Sequence, residues 1–320
     1  MPNPTAGQVH VDALLTDISV AFIQGSTKYV ADRVFPRVPV MKRSDLYATY
    51  NQGDFLRDEV ERRTAGGEAV QLGYRTATDS YIAEEWAAAH AIDDQVRANA
   101  SSPFAPEEDA VRFLTQKMLL KREVEFVNNY MGTGIWGTDS SGGSDFTQWS
   151  NPASTPIEDI HDACFDVETA TSFLPNKLVL GRQVWFDLKN HPDIVDRVKH
   201  TSDGPVTTGI VARLLGLDEI LVAGAVRNTA VEGMAYSGDH IVGDDALLVY
   251  SPASAGLLQP AAGYTFVWNG LIGGMSNGQV VERYRDESRV SDIVRVRAAW
   301  AQKVVSSALG VFFNNCSTRA

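Results

Sequence analysis

The stretch PEEDAVRFLTQKMLLKREVEFVNNYMG, residues 106–132, decides how the chain is read. Pro106 suits a first helical turn, because the amide donor it lacks is one that a helix start leaves unbonded anyway. Glu107, Glu108 and Asp109 set negative charge beside the positive end of the helix dipole. Phe113, Leu120, Val124, Val127 and Met131 keep alternating four- and three-residue steps, with Lys117 as the one polar interruption. Gly132 supplies a stop. The spacing predicts a helix over 106–131, ~38 Å long at 1.5 Å per residue. That length is more than a small globular domain needs and suits a spine running along a flattened subunit.

Towards the N-terminus the pattern changes twice. Arg57-Asp58-Glu59-Val60-Glu61-Arg62-Arg63 is a charged run that meets Gly66-Gly67, after which Val70, Leu72 and Tyr74 alternate with Gln71, Gly73 and Arg75. Period-two alternation beside a glycine turn predicts a long hairpin over 56–80. The run carries both signs, which suits ion pairs to a neighbour as well as a solvated face. Residues 1–55 do not read as a compact domain. Leu14, Leu15, Ile18, Phe22 and Ile23 give a short helical pattern, followed by Arg33-Val34-Phe35-Pro36-Arg37-Val38-Pro39-Val40. Two prolines three apart leave that segment extended, either as an ordinary edge strand or as an arm that lies on another surface.

Beyond the helix, residues 132–156 are rich in Gly, Ser, Thr and Asp and read as a linker or surface loop. A second folded unit follows: a helix over Ile157–Ser172, a strand at 177–180, and a short helix over Arg182–Leu188 broken near His191-Pro192. A helix over Val206–Leu215 then ends at Gly216, and strands follow at 219–222 and 246–250. Helices alternating with strands predict a mixed sheet flanked by helices. Strands return at 280–285, 294–300 and 309–313, giving an α+β chain without internal repeats.

Composition narrows function. The 320 residues are 44% hydrophobic and 21% charged, with a formal net charge of −12, so a sizeable core is available. No run of Lys/Arg exceeds two, which argues against a nucleic-acid grip; an acidic chain can still face DNA without holding it. Two distant cysteines, Cys164 and Cys316, exclude a disulfide framework or a cysteine-rich zinc site and suit folding in a reducing compartment. The beginning of the sequence has no secretory pattern, and no apolar stretch approaches the ~20 residues of a membrane span.

Tests for chemistry return little. Gly132-Thr133-Gly134-Ile135-Trp136-Gly137 matches GxGxxG, but it follows a helix and enters a polar loop, the reverse of the dinucleotide-binding context. His161 and Cys164 share a helix face, with Asp162 and Asp166 as conceivable orienting groups. An amphipathic helix with a buried small cysteine is the plainer reading. Ser237, Asp239 and His240 lack a nucleophile elbow, and Asp244-Asp245 lacks calcium-loop spacing. No catalytic, cofactor-binding or metal-ligating residue is assigned. An arm and a hairpin that cannot be stable alone imply partners.

In order and spacing these segments resemble the major capsid proteins of tailed phages, whose HK97-type fold is also found in encapsulins. Val34-Phe35-Pro36-Arg37-Val38-Pro39-Val40 resembles the N-terminal arm, 63–81 the extended loop, and 106–131 the spine helix of the peripheral domain. Pro175-Asn176-Lys177-Leu178-Val179-Leu180-Gly181, the stretch from Trp185 to Ile194, 214–224 and Tyr250-Ser251-Pro252 are similar to the axial domain. Val281-Glu282-Arg283-Tyr284-Arg285-Asp286 resembles the closing strands of the peripheral domain. The resemblance spans nearly the whole chain, and no single motif is diagnostic. It implies an arm over 1–55, an extended loop over 56–80, a peripheral domain over 81–155 and 264–320, and an axial domain over 156–263.

It further implies a non-enzymatic shell subunit that assembles in the host cytoplasm and resides in the virion capsid, with axial domains ringed into hexamers and pentamers around double-stranded DNA held non-specifically. Intersubunit contacts then fall to Phe35 and Arg37 on the arm and to Arg57, Asp58, Glu59, Glu61, Arg62 and Arg63 on the loop. Interfaces of this kind bury on the order of 2,000–5,000 Å². Partners would be a portal protein, a decoration protein and a scaffolding function, the last supplied separately or removed by cleavage. An encapsulin-like compartment and a soluble enzyme with an unrecognised site are the alternatives.

Some relatives join subunits through a lysine on the extended loop and an asparagine. Here no lysine occurs from Arg43 to Gln116. Intact particles boiled in detergent are expected to run on a denaturing gel at the monomer position; a covalent ladder would contradict the non-covalent reading.

Overall fold

The computed structural model describes residues 10–11, 27–99, 105–199, 205–256, 259–270 and 278–318. The helical pattern expected at 14–23 lies outside them. Two sheets share one long helix.

That helix runs from Pro106 to Tyr130. Its inward face is Ala110, Val111, Leu114, Thr115, Met118, Leu119, Arg122, Glu123, Phe126 and Tyr130. The face expected from the sequence is therefore displaced by about one residue: Phe113 is 51% exposed, and Leu120, Val124 and Val127 lie on the flank. The displacement has a physical cause. The true stripe includes a threonine, an arginine and a glutamate, so a search for apolar residues alone slides to the neighbouring row. Thr115, Arg122 and Glu123 are 0%, 4% and 0% exposed. Arg122 lies 4.5 Å over the Trp300 ring and bonds to Asp32, which meets its charge.

The helix packs on the first sheet, ordered His10–Val11, Gln279–Asp286, Ser291–Val304, Gly263–Trp268, Arg37–Val40, with Glu84–Asp93 also paired to Ser291–Val304. Val294, Val296, Ala298 and Trp300 alternate towards Val111, Leu114 and Met118 and form one core with Ile92 and Val281. Arg37–Val40 pairs in parallel with Gly263–Trp268 at the sheet edge, so the edge-strand reading of this segment holds. An edge tolerates Pro39, which has no amide to donate. Ahead of it, Ala31–Val34 forms a helical turn where an extended chain was expected.

The second sheet has the order Thr138–Ser141, Gly310–Asn314, Ala246–Val249, Lys177–Gly181, Glu219–Ala223. Thr138–Ser141 and Gly310–Asn314 were expected in the unit built around the first sheet; register pairing puts both in this one. The stretch read as a loop, 132–156, thus donates an edge strand, and it also buries Trp136 and Trp149. Both faces of this sheet are covered. Leu178, Leu180, Ala246 and Leu248 meet the helices Pro156–Thr171, Arg182–Asn190 and Pro192–Val198. Val179, Leu221, Leu247 and Val249 meet Val34, Phe35, Phe126 and Tyr130. Two-sided burial explains why these strands read as continuous apolar runs. Thr208–Leu214 closes the layer, and Gly216 takes φ +70, the left-handed stop the sequence anticipated.

The hairpin is present but lies elsewhere than expected. Its paired strands are Ser44–Tyr50 and Thr76–Ile82, with Ser44 opposite Ile82 and Tyr50 opposite Thr76. The alternating stretch 70–75 is irregular and exposed on both sides of the alternation. Alternation signals a strand only where one face lies on a packed surface, and here both faces are exposed.

Phe35 anchors the junction of the two sheets. It is 2% exposed, with its ring 4.6 Å from that of Tyr130 and 6.4 Å from those of Phe126 and Trp136. Phe35→Ala is expected to cost about 3–5 kcal/mol of subunit stability, read by denaturant unfolding. A contact used only between copies would leave the unfolding midpoint unchanged.

Candidate assembly surfaces

The hairpin tip, residues 51–75, is ordered locally by polar contacts. Asn51 Oδ1 accepts from the Gly53 amide at 2.9 Å and starts the turn Gln52–Phe55. Asp54 then receives a forked donation from Arg75, Nε at 3.0 Å and Nη2 at 2.8 Å, with the Arg75 amide at 2.9 Å. The guanidinium holds the Asp54 carboxyl down at about 2. This clamp closes the base of the tip across 21 residues of sequence.

Above the clamp the apolar residues are uncovered. Phe55 is 58% exposed, Leu56 53%, Val60 81%, Leu72 54% and Tyr74 63%. Tyr50, Phe55 and Tyr74 touch one another, with ring centroids 5.6–5.9 Å apart. Apolar residues gathered and exposed on one protrusion are what a contact surface requires.

The residues expected at intersubunit contacts separate into two groups. Arg57, Asp58, Glu61, Arg62 and Arg63 are exposed on the tip beside the apolar set; Arg57 pairs with half-buried Glu59 at 2.9 Å, and Arg63 donates to the Gly67 carbonyl. The arm residues are engaged in their own subunit. Phe35 is buried in the junction core, a correction to its expected role, since a side chain packed there has no surface to offer a neighbour. Arg37 lies 3.3 Å from Asp32.

A second protrusion was not anticipated. Val226–Asn228 and Gly238–His240 form a short hairpin whose exposed residues include Val226, Val231, Met234 and Tyr236, the last three more than 70% exposed. The turn-rich sequence hid it, because strands of three residues are too short to show alternation.

Several of the motifs tested for chemistry are packed into the fold. Gly137 lies against Ala308 and the Ser307 carbonyl, and Trp136 donates to the Tyr130 carbonyl at 2.6 Å, so the GxGxxG stretch is a packed turn closing the spine helix. His161 is exposed while Cys164 is buried, and burial pushes its thiol up to about 11, the opposite of activation. Asp245 is raised to about 6 by burial, and its carboxylate accepts the Asn315 amide at 3.2 Å. His191 is buried; its Nδ1 accepts from the Asp193 amide at 3.2 Å, and Nε2 lies 3.0 Å from both Ser154 Oγ and the Asn151 carbonyl. It caps the helix Pro192–Val198. Among the described residues there is no group of three or more His, Cys, Asp or Glu able to hold a metal ion, and no helix is long and apolar enough to cross a membrane.

A scan of known protein families finds no matching model. Individual proteins do match. The chain is 30% identical over 316 residues to the major capsid protein of Pseudomonas phage JBD67, covering 95% of this chain and 96% of that one. A phage-related protein from Bordetella bronchiseptica RB50 shares its fold at TM-score 0.73 and 21% identity, covering 98% of this chain and 99% of that one. The capsid structure of cyanophage P-SCSP1u matches at TM-score 0.61 and 9% identity, over 98% and 92% of the two chains.

With both cysteines buried and Cys316 also raised by burial, iodoacetamide at pH 7.5 is expected to leave the folded chain unlabelled and to label both thiols after denaturation. Fast labelling of Cys164 in the folded chain would reopen the His161–Cys164 pair as chemistry.

Proposed function

The chain belongs to the phage major capsid protein family, and from that premise we propose that it builds the icosahedral head shell of a tailed phage around packaged double-stranded DNA. That it is a shell-forming capsid protein with the HK97-type fold follows from the family and from its structural likenesses. The closer description of the shell is our reading. Subunits ring into hexamers and pentamers, and the hairpin Ser44–Ile82 lies over an adjacent copy. The shell is held without covalent bonds between subunits. A portal protein, a scaffolding function and a decoration protein are its expected partners, DNA is contacted non-specifically, and assembly takes place in the host cytoplasm. The chain carries structure and no catalysis.

One observation carries this reading. The tip exposes Phe55, Leu56, Val60, Leu72 and Tyr74 on a scaffold that its own Asp54–Arg75 clamp keeps in shape. Leaving such side chains in water forgoes roughly 1.5–3 kcal/mol each, a sum that a neighbouring copy can recover. The small hairpin at 226–240 supplies a second exposed apolar set, suited to head-to-tail contacts that close a ring. Identity to a phage capsid protein across nearly the whole chain favours a phage head over an encapsulin compartment.

The test replaces Phe55 and Leu72 together by serine. Thermal unfolding of the subunit is expected to stay within about 0.5 kcal/mol of the parent, because neither side chain packs in its own core. The yield of megadalton particles, seen by size exclusion and electron microscopy, is expected to fall at least tenfold. Undiminished particle yield would overturn the role given to the tip, and a parent protein that forms no particles in any condition would overturn the shell.

A further inference from the structure

Residues 28–37 are held from two sides. On the spine-helix side, the Val30 amide donates to both Glu123 oxygens at 3.1 and 3.0 Å, and the Ala31 amide donates to Oε2 at 2.9 Å. Arg122 donates to the two Asp32 oxygens at 2.8 and 3.1 Å. On the side of the second sheet, the Lys177 ammonium donates to the carbonyls of Arg33 and Val34 at 2.7 and 2.9 Å. The Ser251 hydroxyl donates to the Val34 carbonyl at 2.6 Å, the Gly224 amide donates to the Lys28 carbonyl at 3.1 Å, and Arg33 pairs with Glu219. The segment is therefore a strap between the spine helix and the second sheet, and it runs directly into Arg37–Val40 and the root of the long hairpin.

Glu123 is the weak point of that strap. Its carboxylate is fully buried and is met by backbone amides, while the adjacent guanidinium of Arg122 turns to Asp32. Burying a carboxylate in its charged form is costly unless it is paired. Asp32, on the strap itself, adds like-charge repulsion. A proton on Oε1 removes both costs and sacrifices one contact, the 3.1 Å bond from Val30, because Oε2 keeps its two amides.

We infer that Glu123 is a proton-operated latch: protonated, it fastens residues 28–37 between the spine helix and the second sheet; ionised, it loosens them and with them the root of the hairpin. Burial, its largest cause, pushes Glu123 up from 4.5 to about 7. The fastened state thus binds the proton more tightly than the released one. Fastening is complete below pH 4.5, weakens as pH rises from there to about 7, and is flat beyond. The other titratable and charged groups around the strap are Lys28, Tyr29, Asp32, Arg33 and Arg37 on it, Arg122 on the spine helix, and Lys177 and Glu219 on the second sheet. Tyr29 is raised by burial and by Glu123 itself, so it stays neutral throughout this window.

The test is hydrogen exchange read by mass spectrometry on peptides covering 28–36 of the full chain, corrected for the intrinsic pH dependence of exchange. At least tenfold greater protection is expected at pH 5 than at pH 8. Glu123→Gln carries a permanent neutral side chain and is expected to show equal protection at both. A flat profile in the parent, or a pH dependence that survives in the variant, would overturn the latch. Should the glutamine variant fail to fold, Asp32→Asn decides: removing the repelling charge must move the parent midpoint to lower pH, and an unmoved midpoint rejects the inference. The readout is confined to one segment, so it stands apart from whether particles form.

Discussion

Arg122 and Glu123 lie in the middle of the buried face of the spine helix, and neither side chain can remain there without the strap of residues 28–37. The strap supplies the Asp32 carboxylate that Arg122 needs and the two amides that Glu123 needs. In return the helix fixes where the strap runs. Phe35 is thereby delivered into the junction between the sheets, against Phe126, Tyr130 and Trp136. A polar requirement at two consecutive helix positions thus acts together with the burial of Val30, Ala31, Val34 and Phe35 to set the register of this N-terminal segment. It also sets the point from which the long hairpin leaves the body.

The two halves of the subunit solve their burial problems differently. The second sheet buries both faces of its inner strands Gly310–Asn314, Ala246–Val249 and Lys177–Gly181, so these are short and mostly apolar, while the edge strand Thr138–Ser141 is polar. The first sheet packs one face against the spine helix and carries charge on the other. There Glu282 takes Arg297 at 2.9 Å and also pairs with Arg295. At one end of that sheet, burial raises Asp292, but the hydrogen bonds and charges of Arg283 and Arg97 together outweigh it and hold the carboxyl down at about 2. These ion pairs cross from strand to strand, and Arg97 brings in the short helix Asp94–Asn99. The hairpin has neither solution, and the apolar residues of its tip stay exposed in the single chain.

Much of the architecture was legible because local signals agree with the fold. Pro106 and the acids after it marked the spine helix, Gly216 marked a helix end, and the strands at 177–181, 219–223 and 246–249 announced themselves by composition. The failures share a cause: each signal depends on a partner that sequence does not name. The buried stripe of the spine helix was displaced because its polar members are satisfied from 90 residues away. The alternation at 70–75 suggested a strand, but all six residues are exposed and the contacts of Tyr74 and Arg75 are with the local turn at 50–55 and not with a sheet. Thr138–Ser141 looked like loop because it is polar, and it becomes a strand only through its parallel register with Gly310–Asn314.

The sequence by itself determined the α+β class, the long helix, the order of segments that resembles a phage capsid subunit, and the absence of a loop lysine for cross-linking. These are properties of spacing, composition and residue identity, which do not depend on where distant residues lie. Only the tertiary structure decided which face of the spine helix is buried, that Phe35 belongs to the core of its own subunit, that the hairpin is paired at 44–50 and 76–82, and that Glu123 carries the strap. Each of those is a contact between residues far apart in the chain, and the free energy of such contacts exists only once the fold has brought the partners together.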